Sequence, residues 1–436
     1  MISTGSRRKQ RGALRTHDSA GEAPPARACA AQPPPAMYEY EYAEDDGRYD
    51  DPEDGDGSFD DRIATTGLHG FSGRPYVPPA SSADGSGPSF GDNMESHFVV
   101  PRRLRDKPYE LIEAANDWHY AMMNDLPRNE FYRSALRQLI TPESFVLEIG
   151  AGSGLLSIIA ASLGARRVVA IEANMHLANV ARQIIHANGY GDRIHIINKM
   201  STDVSPEELA QYGGRPTLLL SEILGTLLLG ESALHYVADA RRRLLGPGGA
   251  VVPPRGAQFA TLVESFDIAS ITSVKSWEGI SLDYFNSLQD TTSMVFTKQY
   301  GFRFSSAAYT ELAPRTPVLA IDFSADEVGV WGGESRTTLR ATRAGTVHAV
   351  MASWEVYAGE ADALCMATHP DATLGNFPRD MQWGQGLQLI EDTSVDGAKP
   401  VPFVVQEGEL LTLVTRYSVD GVTLQFELRR GASSEE

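Results

Sequence analysis

Cysteine is almost missing from this chain. Cys29 and Cys365 are the only two in 436 residues. That is too few for a disulfide framework or a thiolate zinc site, and such sparse use favours a reducing compartment. No apolar run reaches the roughly 18 residues that a membrane-spanning helix needs. The first residues lack the apolar core of a secretory leader. Residues 1–17 do hold Arg7, Arg8, Lys9, Arg11 and Arg15 without an acid, as an organellar presequence would, but Gly and Pro soon break any amphipathic helix. Basic charge is also short: the formal net charge is −19. That balance argues against nucleic acid as the main ligand, because phosphate contacts need clustered Lys and Arg. Much of the excess is local, since residues 37–62 hold 12 acids and 2 arginines. This stretch reads as a solvated tail, with a docking segment for a basic partner as the alternative. The expected location is the cytoplasm, with the nucleus also open.

What is present divides the chain into four parts. Residues 1–95 are rich in Pro, Gly, Ser, Ala and Asp and offer little to offset ordering entropy, so they are expected to be disordered. The alternating tyrosines at 38, 40 and 42 could form a short strand on binding. Residues 96–140 turn helical, with apolar groups three and four apart in LRDKPYELIEAANDWHYAMM and RNEFYRSALRQLI. Residues 141–252 alternate short apolar strands with helices, the pattern of a parallel sheet covered on both faces. Pro253-Pro254 ends that style. From 253 to 436 the chain reads as strands, among them AQFATLVES, GFRFSS and PVLAIDFS, with a hairpin signal at Asp420-Gly421. Residues 265–300 fit neither pattern and are expected to be an insertion of short helices.

Two constellations carry chemistry. The first is Gly150, Gly152 and Gly154 between a strand and a helix, with Glu172 ending the next strand. Glycines there let a ligand approach the backbone, and a strand-terminal carboxylate can receive ribose hydroxyls. Neither a dinucleotide GxGxxG nor a phosphate-binding GK[ST] is present. A nucleoside without pyrophosphate fits best, and S-adenosylmethionine is one. Its carboxylate needs a cation, for which Arg128 is the candidate. The second constellation is LLLSEILGTLLLGESAL, which sets Glu222 and Glu231 in an apolar run. Two carboxylates there suit a buried cation, and a guanidinium, with its planar fork of donors, can be gripped by both. The plainer reading is two helix-end carboxylates.

With those residues stated, a resemblance is specific. VLEIGAGSGLLSIIAASLGARRVVAIEAN is similar to the first motifs of class I methyltransferases. LLLSEILGTLLLGESAL resembles the double-glutamate loop of protein arginine methyltransferases, and DLPR, ending in Arg128, resembles their D-x-x-R motif. INKMSTDV and ILGTLLLGESAL are most similar to subfamily seven, the monomethylating branch, here with one methyltransferase module. The resemblance implies a Rossmann-like class I methyltransferase domain, then an antiparallel β-barrel domain with a helical dimerisation arm at about 265–300, and a homodimer. It implies S-adenosylmethionine as cofactor, no metal, and arginine-containing proteins as substrates, Arg-Gly-rich, RNA-binding or histone. It assigns Glu222 and Glu231 as catalytic. His119, Met122, Arg128, Glu148, Gly150, Gly152, Gly154, Leu155, Glu172, Ala173, Met200 and Ser201 would bind the cofactor. Gln382 and Trp383 would wall the arginine pocket, unless they are simply barrel core. The chain departs from the family at three places: Glu148 where Asp is usual, Gln382 before Trp383 in place of His, and Ser201 in place of an adenine-side acid. Arg11-Gly12 and Arg430-Gly431 are expected as self-methylation candidates. Two readings compete: a methyltransferase for a small molecule, and a non-catalytic regulatory relative.

Overall fold

The strand Phe145–Ile149 (β1) is buried at every position, and the first half of the described chain is organised around it. In this computed structural model β1 pairs in parallel with Arg167–Ile171 (β2) on one side and Leu218–Ser221 (β4) on the other. Ile194–Ile197 (β3) and Ala250–Val252 (β5) complete the sheet in the order β3-β2-β1-β4-β5. The reversal of strand order falls between β1 and β4, which opens a crevice at their C-terminal ends. Both sequence constellations lie there: the glycine loop follows β1 and the glutamate run follows β4. The structure describes residues 98–115, 117–295, 301–325 and 332–431, with Ser89, Gly91 and Met94 besides. The acidic stretch, the tyrosine trio and Cys29 lie outside the described residues.

The helical segment before the sheet is punctuated rather than continuous. Pro108 starts Tyr109–Ala114, and Asp125 with Pro127 starts Leu126–Leu139, leaving Asp117–Asn124 as a short helix of its own. Proline suits a first turn because it has no N–H to leave unpaired. Sheet helices are capped by the expected chemistry: the Asn174 side chain accepts from the backbone N–H of His176 (2.9 Å) and Leu177 (3.1 Å) to open Met175–Ala187.

After β5 the chain becomes antiparallel. Arg255–Glu264 (β6) pairs with Ala349–Ala358 and with Thr316–Asp322, and Ala349–Ala358 pairs in turn with Gly386–Leu389. A separate sheet joins Gly333–Arg340, Leu410–Tyr417 and Leu424–Arg430. The last two strands form the hairpin signalled at Asp420-Gly421, where Gly421 takes φ +73°. One strand expectation fails. GFRFSS makes only an isolated bridge from Phe302 to Gln385, followed by a 3-10 turn at Phe304–Ser306. The cause is packing: Phe304 is fully buried edge-on against Phe302 and Tyr309, and its N–H donates to the Gln385 side chain at 3.0 Å.

The two halves share apolar packing. The core around the parallel sheet includes Leu319, Phe323, Trp354, Val356 and Trp383 from the antiparallel half. The 265–300 insertion contains the helix Phe266–Thr272, a minimal hairpin of Ser276–Trp277 with Ile280–Ser281, and a 3-10 turn at Asp283–Leu288. Among the described residues no helix is long and apolar enough to cross a membrane, and no cluster of His, Cys, Asp and Glu is suited to a metal.

Candidate active site

The glycine loop needs glycine for conformational reasons. Gly150, Gly152 and Gly154 take φ of +74°, +51° and +79°, a region that costs other residues strain. A side chain on Gly154 would also press Ile185 at 3.2 Å. Over Gly152 the space is open, its nearest neighbour being the His119 ring at 4.0 Å from where a Cβ would stand. Glu172 ends β2 and turns onto this loop, accepting from the N–H of Gly152 and of Asn174, both at 2.8 Å. A carboxylate has about four acceptor sites, so two bonds leave capacity for a pair of hydroxyls. At the far side of the site Ser201 is buried and its hydroxyl has no protein partner. An orphaned buried donor calls for a ligand or water. Glycine cradle, strand-end acid and unpaired hydroxyl therefore fit a bound nucleoside. Met122 and Leu155 are half-buried around this region, while Met200 and Ala173 are exposed at its edge.

Glu148 is different. It is fully buried within β1 and accepts from the Ser157 hydroxyl on the following helix. Burial pushes its carboxyl up to about 8, against the pull of Ser157 and Arg128. Its visible partner is the helix that follows the glycine loop, so it steadies the loop from beneath.

The run between β4 and the helix Ala233–Arg243 is a loop folded back on itself. Gly225 and Gly230 meet backbone to backbone: a Cβ on Gly225 would lie 3.0 Å from the Gly230 Cα. Gly230 donates its N–H to the Leu227 carbonyl at 2.8 Å. This closure brings the two ends of the loop, and with them Glu222 and Glu231, toward each other. The antiparallel half holds the loop in that shape. The Trp383 indole donates to the Leu224 carbonyl at 2.7 Å and the Trp354 indole to the Gly225 carbonyl at 2.9 Å. Thr226 donates to the Trp383 carbonyl at 2.8 Å, and the Leu228 N–H reaches the Gln258 side chain at 2.9 Å. Trp354 and Trp383 also pack edge-on, with ring centroids 4.8 Å apart. Trp383 is thus buried beneath the loop, where it shapes the site from below. Gln382, next to it, is half-buried, and its carbonyl oxygen has no protein partner.

Charge inside the site is arranged unevenly. Arg128, expected to meet a cofactor carboxylate, is buried and donates Nε to Glu222 Oε2 at 3.0 Å, with Nη2 on the same oxygen. Both bonds end on Oε2, which leaves Oε1 for a second cation. Arg128 also lies over the Tyr132 ring at 5.6 Å, and the Tyr132 hydroxyl donates to the Ser221 carbonyl at 3.2 Å. Glu231 is open to solvent along part of its surface, yet its carboxyl is closely surrounded by protein. That crowding, and then the neighbouring charge of Glu222, push it up to about 8. Burial holds the His119 imidazole below its ordinary value although Glu222 pulls it upward. Trp354, Gln258, Tyr132 and Arg379, which bonds Asp125, are site residues that sequence reasoning did not single out. Only Asp125 left a signal, as the first residue of D-x-x-R.

Comparison with known proteins gives the family. The family model for ribosomal protein L11 methyltransferase (PrmA) matches residues 133–229, stopping short of Glu231. An arginine N(omega)-methyltransferase of Streptomyces achromogenes subsp. streptozoticus is 32% identical over 296 residues, 68% of this chain and 74% of that protein. The chain belongs to the protein arginine N-methyltransferase family. It is close to protein arginine N-methyltransferase 7: the protein of that name from Drosophila grimshawi is 31% identical over 264 residues. That match takes in 58% of this chain but 37% of the fly protein, so the chain spans well under half of that relative. Among solved structures, the Trypanosoma brucei PRMT1 enzyme–prozyme heterotetrameric complex with AdoHcy shares the fold. It aligns at a TM-score of 0.59 and 22% identity over 74% of this chain and 95% of that one. The cofactor of the family is S-adenosylmethionine.

Two outcomes follow from this site. At pH 7 the Glu231 carboxyl, raised to about 8, is mostly protonated, and a cation binding beside it must drive the proton off. Affinity for an arginine substrate is therefore expected to rise from pH 6.5 to about 8 and then level. Calorimetry in buffers of different ionisation enthalpy should show release of about one proton per binding event at pH 7, absent in Glu231→Gln. Separately, Gly225→Ala should part the loop at Gly230 and cut kcat at least tenfold while S-adenosylmethionine still binds. An unchanged kcat would show that the closure at Gly225 and Gly230 does not set the glutamates.

Proposed function

We propose that this chain transfers a methyl group from S-adenosylmethionine to a guanidino nitrogen of arginine in proteins, giving omega-N-monomethylarginine alone. The observation that carries the reading is the closed loop that holds Glu222 and Glu231 together, with Glu222 already gripping one guanidinium, that of Arg128. S-adenosylmethionine, when bound, supplies a methyl group on a positively charged sulfur. Everything else is asked of the protein. Glu222 Oε1 and the Glu231 carboxylate hold the edges of the guanidinium, so that its charge is drawn toward the held nitrogens and one terminal nitrogen keeps its lone pair. The buried floor of Trp383 and Leu224 keeps water from Glu222 on its protein side. With Glu222 committed to Arg128, Glu231, left as a carboxylate once the cation has bound, is the group suited to take the proton that the methylated nitrogen releases. What supports arrest after one methyl is the likeness of INKMSTDV and ILGTLLLGESAL to the monomethylating subfamily seven.

A second reading has one specific observation in its favour. The Streptomyces relative is named for arginine, without reference to protein, and is matched over 74% of its length. In that reading the substrate is free arginine. Assays with labelled S-adenosylmethionine on an Arg-Gly peptide and on free arginine, followed by amino-acid analysis, decide between them. The expected result is monomethylarginine in the peptide, lost by at least about a hundredfold, near 2.7 kcal/mol of barrier, in Glu222→Gln and Glu231→Gln. Dimethylarginine would remove the monomethylation reading, and transfer to free arginine alone would install the second.

We also propose a homodimer formed through the 265–300 arm, acting in the cytoplasm on Arg-Gly-rich, RNA-binding or histone proteins. Trp277, Tyr284, Phe285 and Leu288 are each more than half exposed on that arm, a patch that suits burial against a second copy. Deleting residues 270–295 should give monomers with weakened cofactor binding. Unchanged size in light scattering would discard the arm as the interface. Self-methylation at Arg430 is not proposed: its guanidinium is held by Asp392 at 3.0 Å and Glu409 at 2.7 Å, and Arg11 lies outside the described residues.

A further inference from the structure

Asp125 is completely buried, and four donors converge on its carboxylate. Oδ1 accepts from the Arg128 backbone N–H at 3.0 Å, from the Asn376 amide at 2.9 Å and from Arg379 Nη2 at 3.0 Å. Oδ2 accepts from Arg379 Nε at 2.8 Å. Arg379 is itself buried, and its remaining Nη1 points to the Ala367 carbonyl at 3.4 Å. The partners stand 254 positions apart in the chain.

The place of this pair in the fold gives it meaning. Asp125 follows the helix Asp117–Asn124, which carries His119 and Met122, and caps Leu126–Leu139, which carries Arg128. Arg379 lies in Phe377–Gln382, whose last residue is Gln382 and whose C-cap is Trp383. One forked ion pair therefore ties the cofactor-side helices to the segment that floors the glutamate loop. A fork held at two atoms fixes orientation as well as distance, which a lysine ammonium cannot do. A buried ion pair is weak evidence for stability, because desolvation offsets most of its attraction. What it does supply is register between two surfaces.

We infer that Arg379 is a positioning residue that couples the cofactor helices to the arginine pocket through Asp125, so that each site senses whether the other is filled. The inference rests on the methyl-transfer reading only for its kinetic arm. Cofactor-side ordering reaches Phe377–Trp383 through the fork, and the Trp383 indole carries it to the Leu224 carbonyl and hence to the loop between Glu222 and Glu231.

The test is hydrogen exchange on the full chain with and without S-adenosylhomocysteine, for wild type, Arg379→Lys and the neutral pair Asp125→Asn with Arg379→Gln. In wild type the ligand should slow exchange in 117–128 and also in 377–383. In both variants the slowing should stay in 117–128. The neutral pair keeps a capping side chain and leaves no orphan charge, so it serves if the lysine variant fails to fold. In the kinetic arm Arg379→Lys should lower kcat at least tenfold with the KM for S-adenosylmethionine within threefold, and an added Asn376→Ala should change kcat less than twofold further. Exchange in 377–383 that ignores the ligand in wild type, or responds equally in a folded variant, overturns the coupling. Wild type that shows the exchange pattern but methylates no arginine substrate would instead reject the proposed activity and keep the tether.

Discussion

Two indole N–H groups hold the glutamate loop. Trp383 and Trp354 each donate to a loop carbonyl, at residues 224 and 225, in the stretch where a backbone leaving a sheet has no strand to pair with. Buried carbonyls must find donors, and here the donors come from the antiparallel half. This constraint explains why the two halves share apolar packing, and why the close approach at Gly225 and Gly230 can persist. It also explains how two carboxylates stay near each other, although burial, and then their repulsion, raises one of them. Without the clamp, mutual repulsion and water would draw the loop open.

The site is consequently built from three directions. The parallel sheet contributes the crevice, with Gly150, Gly152, Gly154 and Glu172 at strand ends. The helices before the sheet contribute His119 and Arg128. The antiparallel half contributes the tryptophans, Gln258 and Arg379. Chemistry that joins a charged cofactor to a charged substrate needs such convergence, because each cation must meet its own anion while both stay out of water.

Much of this was legible in the chain. Strand-turn-helix spacing located β1, the glycine loop and Glu172, and Pro253-Pro254 marked where the parallel sheet stops, with β5 ending at Val252. The glutamate pair was legible because acids in an apolar run need a reason. What could not be read was partnership over long sequence distance. Nothing in DLPR or FPRD says that Asp125 meets Arg379, and the alternating apolar strand around Trp354 looks like packing until its N–H is traced. GFRFSS misled for a related reason: its alternation fits a strand, but the buried Phe304 turns the chain into a 3-10 helix to reach Gln385.

The grip of Glu222 on Arg128 means that one carboxylate of the proposed pocket is already matched to a guanidinium, the chain's own. On the proposed reading, free guanidinium would compete with arginine for Glu222 and Glu231, so guanidinium chloride would be a ligand before it acted as a denaturant. Binding to the native form at low concentrations would offset the loss of stability and bend the unfolding baseline, so urea, which carries no charge, is the solvent in which the free energy of this fold can be read cleanly.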